Sequence, residues 1–101
     1  MIAYEVKMDN FSIDKFDNLF EAVLALKSIE ECRRFFEDVC TIKELDAISQ
    51  RLEVASLLSN GKNYQEVTAL TGASTATISR VNKCLQYGKG GYNLVVKKEE
   101  K

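Results

Sequence analysis

The sequence predicts an all-α fold of five to six helices that closes on a helix-turn-helix, and three observations lead there. Apolar residues recur at helical spacing through nearly the whole chain. The helical stretches are divided by capping signals, and the chain has no proline. One stretch, TGASTATISRVN at 71–82, sets a lone glycine and a run of small hydroxylated residues directly ahead of an arginine.

The first helix is expected over about residues 13 to 27, where Phe16, Leu19, Phe20, Val23, Leu24 and Leu26 form a very wide apolar stripe. A stripe that wide needs covering from more than one side. Ser28 to Glu31 has the form of a capping box, with Glu31 reaching back to the cap, and a second helix follows with Cys32, Phe35, Phe36 and Val39 inward. Thr41 to Glu44 is another capping box, flanked by Cys40 and Leu45 as a hydrophobic staple. It opens a third helix to about Ser59, with Leu45, Ile48, Leu52, Ala55 and Leu58 as the inner edge. Asn60-Gly61 ends that helix, because glycine tolerates the left-handed conformation. Asn63 caps a short fourth helix that stops at Gly72, and Ser74 caps a fifth that runs to about Tyr87. After the glycine-rich break at Gly88 the tail alternates too little to assign an element, although Tyr92 to Val96 could lie extended across a neighbour, and its last five residues are read as frayed.

A chain of 101 residues holds one domain. Residues 1–40 are read as dimerisation helices, 41–87 as central helix and helix-turn-helix, and 88–101 as a tail. A fold this small has a thin stability margin, so an apolar face shared with a second copy is expected. No apolar run approaches a membrane span, and MIAYEVKMDN lacks the pattern of a signal peptide, so the expected location is the cytoplasm. Cys32, Cys40 and Cys84 are odd in number and form no C-x-x-C pair; they read as buried thiols, not as a disulfide or zinc site. Histidine is absent, which removes the commonest general base and metal ligand. With no phosphate-binding glycine loop and no nucleophile beside a base, an enzyme is disfavoured, and neither cofactor nor metal is expected.

Charge is unevenly placed. Residues 1–40 carry five basic and nine acidic side chains, whereas 41–101 carry nine basic and six acidic. Between 62 and 98, six lysines and arginines face Glu66 alone. A C-terminal face that meets polyanion fits this asymmetry.

Residues 63–85 supply the reading. Two short helices that cross steeply need a turn residue without a Cβ clash, which Gly72 provides, while Val67, Leu70, Ala73, Ile78 and Val81 are spaced to pack the crossing. Ser74, Thr75, Ala76, Thr77 and Ser79 are left outward with Arg80 next. Bulk there would hold a helix off base edges in a major groove about 12 Å wide. Lys62, Arg80, Lys83 and Lys89 would hold the phosphate backbone, and Gln65 and Thr68 on the preceding helix complete the expected DNA-binding set. Taken singly, Thr75, Ala76 and Ser79 are a solvated helix face; the joint pattern points to double-stranded DNA. The rival reading is a helical protein-interaction module without direct DNA readout.

Over about residues 29–87 the chain resembles the tryptophan repressor superfamily, and more closely its YerC/YecD-like branch. TIKELDAISQRLEVASLLSNG is similar to the repressor's central helix and GASTATISR to its turn and reading helix, with Thr41, Arg51 and the A-T-I-S-R segment in matching order. The resemblance implies an intertwined homodimer, a repressor-like transcriptional regulator, and a small-molecule corepressor held near Thr41, Arg51, Arg80 and Cys84. From spacing alone Thr41 is an N-cap and Arg51 a helix-surface charge. Val81 and Cys84 stand where the repressor has glycine and serine. A valine would intrude where an indole ring needs flat space, so a ligand other than tryptophan, or none, is expected. The Gly61–Gly72 segment is also one residue shorter.

Overall fold

The computed structural model describes residues 12–99. The N-terminal stretch MIAYEVKMDN, where no signal peptide is expected, and the last two residues of the tail lie outside them. The chain divides into two compact units between Val39 and Cys40.

In the first unit a 3₁₀ turn, Ile13–Phe16, leads into α1, Asp17–Leu24, and α2 spans Ile29–Val39. The single helix expected over 13–27 is therefore shorter. Its last turn tightens where the Leu26 N–H donates to the Val23 carbonyl at 3.1 Å, one residue closer than an α-helix allows. At the other end the Ser12 hydroxyl donates to the exposed Asp14 carboxylate, which with a backbone N–H holds that carboxyl below its ordinary 3.8. Ser28 caps α2 as expected, its hydroxyl accepting from the Glu31 N–H at 3.1 Å. The return bond differs: Glu31 accepts from the N–H of Lys27 at 2.8 Å, one residue before the cap. Phe35 and Phe36 meet edge to face with centroids 5.2 Å apart. No described side chain of this unit is buried.

In the second unit α3 runs Ile42–Ser59, α4 Tyr64–Thr71, α5 Thr75–Tyr87 and α6 Gly91–Val95, so the described residues form an all-α fold of six helices with no strand. The capping box expected at Thr41 is present at full reciprocity, and Asn63, expected as a cap, forms a second one with Glu66. Thr41 Oγ1 accepts from Glu44 N–H at 3.1 Å while the Glu44 carboxylate accepts from Thr41 N–H at 2.8 Å; Asn63 and Glu66 exchange the same pair at 2.9 Å each. Helix α3 ends in a Schellman motif, with the Gly61 N–H on the Leu58 carbonyl and the Lys62 N–H on the Leu57 carbonyl.

The core is small and lies where α3, α4 and α5 meet: Val54, Ala55, Val67, Ala73, Ile78 and Val81 are buried, with Leu57, Leu58, Leu85, Tyr92 and Val96 packed against them. The inward edge expected for α3 is partly displaced. Ala55 is buried, but Ile48 and Leu52 are 49% and 41% exposed, and Val54 takes the inner place instead. The α3 stripe is apolar on more than one side, and spacing alone could not say which side the motif helices cover. Leu70, expected in the crossing, is 61% exposed, and the residue that its helix buries is Val67. The cysteines are not buried thiols: Cys32 and Cys40 are half-buried and Cys84 is exposed.

Tyr92 to Val95 are helical, forming most of the short helix α6, and only its C-cap Val96 is extended; Tyr92 and Val96 cover the core. The tail beyond it is tied at two points rather than free, since the Asn60 side chain bonds the backbones of Lys97 and Glu99. Among the described residues no helix is long and apolar enough to cross a membrane.

Candidate nucleic-acid interface

The bend between α4 and α5 is built from three residues. Gly72 adopts φ +74°, a left-handed conformation that other residues reach only at a cost. A Cβ there would meet nothing within 4 Å, so glycine is required by the backbone angle and not by crowding. Thr71 then bridges the bend: its hydroxyl donates to the Val67 carbonyl at 2.7 Å and accepts from the Ala73 N–H at 3.1 Å. From the supporting helix, the Gln50 amide donates to the Thr71 carbonyl at 3.2 Å.

Beyond the bend, Ser74 caps α5. Its hydroxyl accepts from the Thr77 N–H and donates to the Thr77 hydroxyl, both at 3.1 Å. Ser74 and Thr77 thus satisfy one another, and Thr77 is half-buried. Ile78, Val81 and Leu85 turn inward at helical spacing. Thr75, Ala76, Ser79, Arg80 and Lys83 are exposed on the remaining surface. The first turn of α5 carries no acidic residue, so its unpaired N–H groups and positive dipole end present no local negative charge to an incoming anion.

On α4, Gln65 and Thr68 are exposed, as is Lys62 just before its cap. Gln65, Thr68 and Thr75 line one shallow groove of about 300 Å³ together with Tyr64 and Ala69, so the outer faces of the two motif helices are continuous. Tyr64 is an addition to the expected set; its position follows from the N-cap at Asn63, which fixes the phase of α4.

The effector residues separate. Arg51 and Cys84 line a cleft of about 660 Å³ between α3, α5 and α6, with Ile48, Leu52, Lys89 and Tyr92 on its walls. Thr41 and Arg80 are not on that lining. Thr41 is occupied as an N-cap, and Arg80 projects on the exposed side of α5. Lys89, expected on the DNA backbone, lines the cleft. The pattern of the tail gave no sign of this, because it depends on how α6 folds back. Among the described residues no group of acidic, cysteine or histidine side chains could hold a metal ion.

A helix supporting two shorter helices across a left-handed glycine bend defines a helix-turn-helix protein. The chain belongs to the Trp repressor protein family, whose pattern matches residues 14–100. It is 47% identical over 91 residues to the uncharacterized protein YerC of Bacillus subtilis (strain 168), covering 90% of this chain and 88% of that one. A crystal structure of a candidate Trp repressor from Staphylococcus aureus superposes with a TM-score of 0.78 at 42% identity, covering 88% of both chains. A TrpR-like protein from Eubacterium eligens ATCC 27750 gives the same TM-score at 51% identity, covering 81% of this chain and 84% of the other. The family is one of DNA-binding regulators rather than enzymes.

Proposed function

We propose that the protein is a sequence-specific, repressor-like transcriptional regulator that binds double-stranded DNA as a homodimer, each subunit presenting the N-terminal half of α5 to a major groove. The observation that carries this reading is the face of Thr75, Ala76, Ser79 and Arg80, slim and exposed while Ile78 and Val81 anchor the same helix in the core. Lys62, Gln65, Thr68 and Lys83 flank it as phosphate and edge contacts, and Ser74 with Thr77 holds the first turn in shape.

The homodimer is supported by the uncovered apolar side chains. Phe16, Leu19, Phe20 and Leu24 of residues 12–39 and Ile42, Ile48 and Leu52 of α3 are all at least 39% exposed. A second copy that packs its own 12–39 helices on these stripes would cover them. Two-fold pairing would set the reading helices about 34 Å apart, on successive turns of a near-palindrome.

A small molecule would enter at the cleft bearing Arg51 and Cys84, which is of ligand size and mostly apolar-walled with two cationic side chains, Arg51 and Lys89. Such walls suit a small carboxylate with an apolar body. Neither Arg80 nor Val81, which is buried in the core, lines this cleft, so tryptophan flanked by Arg51 and Arg80 is disfavoured.

Selection of bound sequences from a random DNA pool, with and without a mixture of amino acids, tests recognition and ligand dependence together. Enrichment of a two-fold motif that is lost in Arg80→Ala is expected. Retention of wild type and Arg80→Ala to the same extent would count against the reading. An apolar docking module would be retained independently of salt, whereas DNA binding weakens linearly in log salt.

A further inference from the structure

The Asn60 side chain acts as a two-sided clamp on the tail. Its Nδ2 donates to the Ser56 carbonyl at 2.8 Å and to the Lys97 carbonyl at 3.2 Å, and its Oδ1 accepts from the Glu99 N–H at 2.7 Å. The two tied tail groups flank Lys98. An amide side chain that both donates to and accepts from one extended segment imitates a neighbouring strand, and it fixes that segment's position and direction. Tyr92 and Val96 pin the preceding helix to the core. The pair Lys97-Lys98, distant from Asn60 in sequence, is therefore held against it in space.

Asn60 is also the C-cap of α3, two residues before Lys62 and three before Asn63, the N-cap of α4. The Schellman motif fixes Lys62 at the same corner through its N–H on the Leu57 carbonyl. Lys62, Lys97 and Lys98 are all exposed. The acidic residues near them in the chain are Glu66, whose carboxylate is held in its capping box, and Glu99 and Glu100, which follow the two lysines and precede Lys101.

From this juxtaposition we infer that the clamped tail is a second DNA-contacting element, in which Lys97 and Lys98 join Lys62 to grip phosphates flanking the groove that α5 enters. It rests on the DNA-binding reading above. In a helix-turn-helix the first helix crosses the phosphate backbone. A basic corner beside that helix's N-terminus lies along the same backbone, outside the reading groove. Such contacts hold the protein down without reading sequence.

The test is binding to a long random-sequence duplex across a salt series, for wild type, Lys97→Gln/Lys98→Gln, Asn60→Ala, Glu99→Gln and Arg80→Ala, with thermal unfolding as the folding check. Each phosphate contact adds about 0.9 to the slope of log affinity against log salt. The double lysine variant is expected to lose about 2 from the slope per bound subunit and to bind at least about tenfold more weakly near 0.1 M salt, with an unchanged melting temperature. Asn60→Ala keeps both lysines but frees them, and should move the slope in the same direction. Glu99→Gln should bind more tightly.

A double lysine variant with wild-type slope and affinity would overturn the inference while leaving the DNA reading intact. A wild-type slope in folded Asn60→Ala would overturn the clamp's part in it. Wild type that binds no duplex at all would overturn the DNA reading, and this inference with it.

Discussion

Gln50 on the supporting helix donates its side-chain amide to the carbonyl of Thr71, 21 residues on and 3.2 Å away. That carbonyl belongs to the last residue of α4, where a helix has no partner of its own to offer. The bond therefore satisfies an orphan acceptor and fixes the bend against α3 at once. Gln50→Ala should destabilise the fold by about 1 kcal/mol and lower the melting temperature by roughly 4–8 °C. Measured by thermal unfolding at fixed protein concentration, an unchanged midpoint would show that the bond is replaced by water. DNA affinity should fall more than the stability loss explains, since the reading helix loses its reference to α3.

Two glycines are required for different reasons, and substitution separates them. Gly72 is open around its Cβ position but sits at φ +74°, so Gly72→Ala should cost about 1–2 kcal/mol and Gly72→Asn less, because asparagine tolerates that region. Gly88 has an ordinary φ of −84°, yet a Cβ there would lie 2.6 Å from the backbone carbonyl of Cys84. Neither alanine nor asparagine fits without moving the end of α5. Unfolding midpoints of the four variants check this: rescue by asparagine is expected at 72 and not at 88.

Much of the fold was legible in the sequence because caps and turns are written locally. Thr41 with Glu44, Asn63 with Glu66, Ser74 and Gly72 each act within four residues, and the boundaries of α3, α4 and α5 follow from them. The illegible part depends on which side of α3, apolar on more than one, is covered. Ile48 and Leu52 have the right spacing for the core and are exposed, because α4 and α5 settle over Val54 and Ala55 instead, and Leu70 is exposed where its own helix buries Val67. The tail escaped a sequence reading for a related reason. A five-residue helix has too few turns to show a period, and the bonds that hold Lys97 and Glu99 come from Asn60, far back in the chain. For the site, the outer face of α5 was read from its small residues, whereas the pairing of Arg51 with Lys89 across one cleft depends on the fold of α6.

Ser74 serves the cap, and its substitutions distinguish capping from DNA contact. Ser74→Ala removes the acceptor of the Thr77 N–H and should cost about 1 kcal/mol. Ser74→Asp keeps the cap and adds a charge favourable to the helix dipole, so stability should be retained or raised. The same carboxylate would face phosphate at the helix N-terminus, so DNA binding should drop sharply in a fully folded protein. Circular dichroism and duplex binding measured side by side check the pair. Wild-type affinity in Ser74→Asp would place the start of α5 away from the DNA.

Residues 12–39 pose a thermodynamic problem that a second subunit would solve. This segment has two helices and a 3₁₀ turn but no buried described side chain, while Leu19 and Phe20 on α1 are 44% and 41% exposed and Leu24 is 85% exposed. Short helices are marginal in water without an apolar face to bury, so the segment should be helical only when covered. In the homodimer reading, Leu19→Lys/Phe20→Lys places charge on the covered face. Sedimentation equilibrium should then show a monomer where wild type is a dimer, and helical content should fall by about the share of α1 and α2. Wild type should also melt at a temperature that rises with protein concentration, and the variant should not. The buried cluster of Val54, Val67, Ile78 and Val81 lies wholly within α3, α4 and α5, so the variant should retain part of its helicity. A wild-type melting temperature independent of concentration, with the same sedimentation mass for both proteins, would leave the apolar stripes to some cover other than a second copy.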